Sequence, residues 1–259
     1  MKYFLLGAIA FIPLASAAQA QESDDYRVRV GLGAQLRPKF LGADKTEAAP
    51  LFDIDVARGT NTFKFEAPDD AFAIALVSSN GFSFGPAANI APDRRSKDVG
   101  RLLPKVSTTL EAGAFAQYEV ADSFRVQGQV LKGLGGHKGL VGKIGADKIW
   151  RDGDRYVFSI GPRVLLSDGR FQRAYFGVTP AAALTSGLPV YRPSAGVYAV
   201  GLNSGLSYQF NPRFGLFGFA NYDRLVSDAA KSPIIRSEFG SRTQLSGGAG
   251  LSYTFNIKR

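Results

Sequence analysis

The sequence contains no cysteine and only one histidine and one tryptophan in 259 residues. Without cysteine, an exported chain of this length has to be stable without disulfides, thiol catalysis or thiolate-bound metal. Long apolar runs are also missing after the N-terminal segment, where none reaches the roughly 18 residues that indicate a transmembrane helix. If the mature chain crosses a bilayer, it must do so as a β-barrel, the other structure that satisfies all its backbone hydrogen bonds.

The first residues have the pattern of a secretory signal peptide. Lys2 precedes an apolar run from Tyr3 to about Ala15, and small residues follow as far as Ala20. A transmembrane anchor is the alternative, but the run is shorter than the roughly 20 residues that span hydrocarbon. We therefore expect a signal peptide at residues 1–20, cleaved after Ala20, and one mature domain at residues 21–259.

The charged residues are scattered along the chain, although the formal net charge is +9. An exported chain without a basic run gives no reason to expect a nucleic-acid partner. Outer-membrane lipid and lipopolysaccharide are the more natural counter-charges. The 30 glycines and 20 phenylalanines suit a sheet that is aromatic outside and tightly packed inside.

Apolar residues alternate with small or polar ones along most of the mature chain, which predicts β-strands. In the last run, Leu245 and Leu251 fall on one face, whereas Ser246, Gly248 and Gly250 fall on the other. We predict twelve strands, at residues 26–34, 52–57, 62–66, 72–77, 82–89, 106–120, 124–131, 140–150, 156–166, 197–210, 214–223 and 243–255.

A soluble β-sandwich alternates as well, but its polar face meets water and is rich in lysine and glutamate. Here that face carries glycine, serine, amides and isolated charges, which suits a crowded polar lumen. Several runs also reach about ten residues, the length that a tilted strand needs to cross a bilayer. The sequence therefore predicts an all-β fold, a transmembrane antiparallel β-barrel in the outer membrane of a Gram-negative bacterium.

The lengths of the connections fit this topology, because bacterial barrels have short periplasmic turns and long outer loops. With both termini periplasmic, the turns at residues 58–61, 80–81, 121–122, 151–154 and 211–212 share one side. The long connections at residues 36–48, 90–105, 167–196 and 224–242 then lie outside. Residues 167–196 remain open at this point, as a loop, a plug or further strands.

This open segment carries the motifs of a known family. The sequence resembles the MipA/OmpV family, whose members have a Tyr-Phe-Gly-Val tetrad followed by Ser-Gly-Leu-Pro-x-Tyr. Further similar pieces are KSPII at residues 231–235, RPKFLGAD before APLFDIDV, and a glycine-rich last strand ending in Tyr-x-Phe. Phe40 stands where the family usually has tyrosine. The two main motifs comprise Tyr175, Phe176, Gly177, Val178, Ser186, Gly187, Leu188, Pro189 and Tyr191.

The resemblance implies an outer-membrane barrel whose founding name denotes interaction with a murein lytic transglycosylase. Some family members are described as scaffolds that join this hydrolase to a bifunctional penicillin-binding murein synthase. Others are linked to envelope stress, antibiotic susceptibility or host-cell adhesion. The resemblance implies the fold for the whole mature chain, but it does not decide the partner.

Candidate catalytic chemistry is sparse. His137 is the only histidine, so any serine–histidine mechanism must run through it. It lies among glycines in a predicted outer hairpin with no serine nearby in sequence, which favours a loop role. Glu111 alone does not make a glycosidase, because that chemistry needs a pair of carboxylates. We predict no catalytic residue, cofactor or metal site.

The predicted polar face carries charges that either form packed ion pairs or set the selectivity of a pore. We interpret Asp69 and Asp70, by contrast, as solvated loop charges. The candidate lumen charges are Asp53, Asp55, Glu111, Arg125, Lys143, Asp147 and Arg163.

Three functions remain open: an envelope scaffold, a narrow channel for small solutes, and a lipid-modifying enzyme. The scaffold is our first interpretation, although short periplasmic turns leave little surface for docking. A twelve-stranded barrel is too wide for wall side chains alone to fill, so a closed one needs a plug. Residues 167–196 are rich in apolar side chains, and we expect part of this segment to fold onto the wall or into the mouth.

Overall fold

The structure is a computed structural model that describes residues 25–100 and 102–258, so the predicted signal peptide lies outside the described residues. Twelve antiparallel strands form one sheet. Their bounds are β1 Tyr26–Pro38, β2 Thr46–Arg58, β3 Phe72–Ala73, β4 Val77–Ser79, β5 Phe82–Ala91, β6 Thr109–Ala121, β7 Phe124–Gly135, β8 Leu140–Asp152, β9 Tyr156–Ser167, β10 Gly196–Gln209, β11 Phe214–Leu225 and β12 Thr243–Ile257.

From β5 to β12 each strand pairs with the next one in sequence, and β1 pairs with both β2 and β12, whereas the described pairs of β2 do not include β3. The sheet runs β2-β1-β12-β11-β10-β9-β8-β7-β6-β5, with the short strands β3 and β4 both on the free edge of β5. The sheet curls on itself, since side chains of β1 and β10 meet across its interior: Arg29 Nη1 donates to Ser207 Oγ at 3.3 Å.

The two faces of the curled sheet differ as a barrel in lipid requires. On β2, Phe52, Ile54 and Val56 are exposed, whereas Asp53 and Asp55 between them turn inward. On β12, Leu245 and Leu251 are exposed. Apolar residues therefore form an outer band that meets hydrocarbon, and the polar residues line the lumen.

Glycine lets adjacent strands approach on the crowded face. A β-carbon at Gly161 would lie 1.7 Å from the carbonyl oxygen of Ala146, and one at Gly113 would lie 2.0 Å from that of Val130. Both distances are far below van der Waals contact. A side chain at either position would push the neighbouring strand away.

The structure corrects the predicted strand at residues 62–66, which is wrong. Its alternation is real, but Phe63 and Phe65 lie inside the barrel against arginines instead of facing lipid. The predicted strand at residues 72–77 is broken into β3 and β4. After β2 descends, residues 62–71 return within the lumen, and β3 and β4 descend again beside β5.

Helices occur at the end of the barrel that carries the long connections. Following the predicted orientation, we call it the outer end, and we call the end with the short turns the periplasmic end. The helices are α1 Gly169–Phe176, α2 Pro180–Ser186, α3 Ser227–Lys231 and α4 Pro233–Arg236, with a 3-10 turn at Ser96–Val99. Residues 167–196 thus form two helices with one isolated bridge, between Val178 and Tyr191. Among the described residues, no helix is long and apolar enough to cross a bilayer.

Candidate functional site: a doubly closed barrel interior

A segment of the chain itself occupies the lumen. We call residues 62–71 the lumen segment. It leaves the turn after β2 and is tied near the periplasmic end, where Phe63 N donates to Asp154 Oδ1 at 2.9 Å. Ala67 and Ala71 are buried, and Pro68 packs against β10, where a β-carbon at Gly205 would lie 2.7 Å from Pro68 Cγ.

The lumen segment ends in two carboxylates that meet basic side chains of the wall. Arg163 binds Asp69 through both of its carboxylate oxygens, from Nε at 2.8 Å and from Nη2 at 2.9 Å. Arg125 Nη1 donates to Asp70 Oδ2 at 2.7 Å. Lys143 Nζ contacts both acids, Asp69 at 2.8 Å and Asp70 at 3.3 Å. The prediction that these acids are solvated loop charges is wrong.

A wall carboxylate completes the network. Asp147 is fully buried, and its two oxygens accept separately from Arg125 Nη2 at 2.6 Å and from Arg163 Nη2 at 2.8 Å. Arg125 and Asp147 are direct partners in the β7–β8 register. We call these six residues the ion network; its three cations balance three carboxylates. Asp69 and Asp70 supply two of those three negative charges.

Aromatic side chains of the lumen segment also contact wall arginines. The guanidinium carbon of Arg29 lies 4.6 Å from the ring centre of Phe63, and that of Arg125 lies 4.6 Å from the ring centre of Phe65. Cation–π contacts are strongest where water is excluded. These contacts account for the alternation of aromatic residues at Phe63 and Phe65, which resembles that of a strand although the segment lies inside the barrel.

The remaining candidate lumen charges fall into two separate groups. On β1 and β2, Arg29 donates twice to Asp55 Oδ2, at 2.9 and 2.6 Å, and Asp53 lines the same cavity as this pair. Near the outer end, Glu111 accepts from Asn89 Nδ2 at 2.8 Å and lies 2.9 Å from His137 Nε2. The structure therefore brings four of the seven predicted charges into the ion network, Arg125, Lys143, Asp147 and Arg163.

His137 is buried and both of its ring nitrogens are in use. Gly139 N donates to Nδ1 at 3.0 Å, which leaves the proton on Nε2 to be donated to Glu111. The ring of Phe171 stands edge-on at 5.0 Å. These contacts tie the β7–β8 hairpin to β6 and place the ring beneath α1.

The long connections pack over the outer end and form what we call the outer cap: residues 39–45, 92–100, 102–106, 168–195 and 226–242. Its interior is mainly apolar. One cluster surrounds Phe176 and Tyr198, and a second surrounds Phe40 and Ile234. Ser232 Oγ donates to the carbonyl oxygen of Phe176 at 2.7 Å and ties α4 to α1.

The family motifs are structural parts of this cap. Tyr175, Phe176 and Val178 are all buried. The second motif ends α2 at Gly187, where φ is +69° and glycine is favoured. Ser186 Oγ donates to the carbonyl oxygen of Ala182 at 2.6 Å, and Tyr191 Oη donates to that of Asp228 at 2.8 Å. The motif residues Gly177, Leu188 and Pro189 connect these points.

Polar groups at the ends of α1 fix its position. Asp168 caps its N-terminus, accepting from Phe171 N at 2.8 Å. Burial alone raises the pKa of Asp168, but backbone hydrogen bonds hold it below its usual range. At the other end, buried Arg94 donates to the carbonyl oxygen of Tyr175 at 2.7 Å. Burial lowers the pKa of Arg94 to about 10, and it raises the pKa of Tyr175 to about 12.

The lumen segment divides the interior into cavities. A lower cavity of about 920 Å³ reaches the periplasmic turns and includes Glu66, Asp70 and Asp122 in its lining. An upper cavity of about 440 Å³ lies beneath the outer cap, and Asp69, Lys143 and Arg163 line it. A third, of about 230 Å³, lies beside Phe63 and β2. The ion network is thus the partition between the upper and lower cavities.

The family model for "MltA-interacting protein MipA" matches residues 30–255. The chain belongs to the MipA family. Family membership and the lipid-facing apolar band together make this MipA-family protein a β-barrel of the bacterial outer membrane. No curated protein sequence matches the chain.

Solved structures that resemble the MipA-family chain are remote in sequence. The KdgM porin is 11% identical with a TM-score of 0.39, over 89% of this chain and 98% of the porin. The translocator domain of the autotransporter NalP from Neisseria meningitidis is 14% identical with a TM-score of 0.40, over 92% of this chain and 90% of that domain.

Within residues 25–100 and 102–258, no group of three or more His, Asp or Glu side chains is placed to hold a metal ion. The features that sequence reasoning missed are Asp69 and Asp70. The sequence did contain one signal. The inward faces of the adjacent strands β7, β8 and β9 carry three positive charges, Arg125, Lys143 and Arg163, but only one negative charge in the ion network, Asp147. A buried wall needs such an excess neutralised by acids from elsewhere in the chain, but this signal does not say which ones.

Proposed function

We propose that this protein is a non-enzymatic outer-membrane barrel that stays closed and anchors a murein lytic transglycosylase at the periplasmic side of the membrane. The ion-paired lumen segment inside the barrel and the outer cap above it are the observations that carry the proposal. A pore that is always open has no use for an ion-paired segment across its lumen and an apolar cap above it. The printed family name, which refers to interaction with MltA, supports the choice of partner.

The periplasmic end offers a concave docking surface. Its turns are short, but they surround the mouth of the lower cavity, whose rim carries exposed Glu119 and Asp122. A partner that inserts a loop there gains contact area that the turns alone do not provide. A penicillin-binding murein synthase would then join the complex as a second partner of the scaffold.

Binding of a purified lytic transglycosylase to the barrel in lipid nanodiscs tests this role. Exchanging Glu119 and Asp122 together for lysine should weaken binding by at least about tenfold, because a reversed charge at an interface rim opposes association. The matched control is Asp44→Lys with Glu238→Lys, at two exposed positions on the outer end. Equal binding by all three proteins, or no binding by the native barrel, would refute the docking role.

A narrow channel for small solutes is the second candidate. It is favoured by the arrangement of the cavities, because only non-covalent contacts of residues 62–71 separate the upper from the lower one. The two functions differ in one simple observable. A channel conducts ions in a planar bilayer under physiological conditions, whereas the closed scaffold does not.

A further inference from the structure

The three wall cations of the ion network are arranged as a carboxylate-binding site. Arg163 holds Asp69 in the two-point geometry that guanidinium groups form with carboxylates. Arg125 and Lys143 hold the neighbouring carboxylate of Asp70. Both acids belong to a segment without regular secondary structure, whereas all three cations are on strands of the wall. The cations are therefore the fixed part of this contact.

We propose that Arg125, Lys143 and Arg163 form a lumenal binding site for small organic dicarboxylates, and that Asp69 and Asp70 fill it in the closed barrel. The two aspartates act as the protein's own ligand. A dicarboxylate that takes their place releases the end of the lumen segment from the wall. This inference goes beyond the docking role and does not depend on it.

The surroundings of the cations support this proposal. Lys143 and Arg163 line the upper cavity, so a solute in that cavity meets them directly. Its volume of about 440 Å³ lies within the range of small-molecule sites. Amide groups of Asn89, Gln129 and Asn203 also line it, and amide nitrogens can donate to carboxylate oxygens.

The charge balance explains why a ligand should be anionic. Without the lumen segment, the wall part of the network keeps three cations and only Asp147 as a carboxylate. Buried unpaired cations are costly, so the emptied site favours two negative charges over neutral solutes. A dicarboxylate supplies these charges in one molecule, as the adjacent aspartates do.

Calorimetric binding of succinate to the purified barrel tests the site. The D69N/D70N variant removes the internal competitor and should bind succinate at least about tenfold more tightly than the native protein. D44N/D152N loses the same charge at two exposed positions and should bind like the native protein. Uncharged succinamide should bind to none of them. A folded D69N/D70N barrel without tighter succinate binding would overturn the proposal.

A second variant covers the case in which D69N/D70N does not fold. Because the chain has no cysteine and Pro68 packs on Gly205, P68C/G205C allows one disulfide to fix the lumen segment to β10. The oxidised protein should not bind succinate, and reduction of the same sample should restore binding. Identical binding in the two redox states would overturn the proposal, whether binding is present in both or absent from both.

Discussion

The lumen segment and the outer cap close the same barrel by opposite chemistry. The lumen segment is short, has no regular secondary structure and is held by Asp69 and Asp70 against three wall cations. The outer cap comes from four connections, contains helices and is held by apolar clusters around Phe176 and Ile234. A buried ion network depends on every partner being present, whereas apolar packing loses stability in proportion to what is removed.

The two main family motifs lie in the outer cap and not in the lumen segment. Tyr175, Phe176 and Val178 specify a packed shape, which needs side chains of particular volume. The lumen segment is held instead by its two aspartates and by contacts of Phe63 and Phe65 with arginines. The sequence of the cap therefore contains a motif that can be recognised, whereas the sequence of the lumen segment resembles an ordinary acidic loop.

The largest effect is expected from the wall carboxylate of the ion network. Asp147→Ala leaves Arg125 and Arg163 buried without their shared partner and should destabilise the barrel by about 4 kcal/mol. Denaturant unfolding of the purified protein in detergent measures this loss. Asp152→Ala, an exposed position on the same strand, is the control. Equal stability of the two variants would show that the ion network contributes little.

The next effect concerns the apolar closure. Phe176 is 0% exposed, and Phe176→Ala should destabilise the outer cap by about 3 kcal/mol through lost burial and a cavity. Limited proteolysis of residues 168–195 in the intact barrel is the readout. Leu184→Ala, at a side chain that is 90% exposed, should leave the cleavage rate unchanged. If both variants are cleaved alike, the cap is not held by the cluster around Phe176.

A smaller effect is expected at the start of α1. Asp168→Ala removes the N-terminal cap and should cost about 1 kcal/mol. Because its pKa is lowered in the folded protein, the charge of Asp168 stabilises the cap above the usual aspartate pKa, and this contribution is lost as the pH falls. In the native protein, the protection of the α1 amides against hydrogen exchange should therefore decrease as the pH falls below the usual aspartate pKa. In Asp168→Asn, which keeps a capping oxygen, this pH dependence should be absent.

The smallest expected effect is on catalysis. His137 uses both ring nitrogens within the hairpin, so His137→Ala should not change any lipase or deacylase activity of the purified barrel. Assays on a lipid substrate before and after the exchange provide the measurement. An activity that disappears with His137 would instead revive the lipid-modifying enzyme as a function.

The strands of the sheet could be predicted from sequence wherever lipid on one face and the lumen on the other require apolar and polar residues to alternate. Ten of the predicted strands match full strands of the structure, because each has one face in hydrocarbon and one in a polar interior. The predicted strand at residues 62–66 is wrong for a physical reason. Phe63 and Phe65 alternate with Lys64 in the same way, but they face arginines in the lumen, and alternation alone does not reveal which surroundings an aromatic face meets.

The site was less predictable than the sheet. Arg125 and Asp147 are cross-strand partners, so their pairing follows from the register once β7 and β8 are assigned. The ion pairs of Asp69 and Asp70 span 55 residues or more along the chain, as between Asp70 and Arg125, and no local pattern encodes them. The apolar content of residues 167–196 predicted packing onto the barrel, but not two helices.

Planar-bilayer conductance of the purified, intact barrel tests the central claim, that the lumen is closed at two levels. The native protein should show little steady conductance. Deleting residues 179–193 alone should leave it low, because the lumen segment remains in place, and combining that deletion with D69N/D70N should open the barrel. A large, steady conductance from the native protein, or from the cap deletion alone, would contradict the double closure.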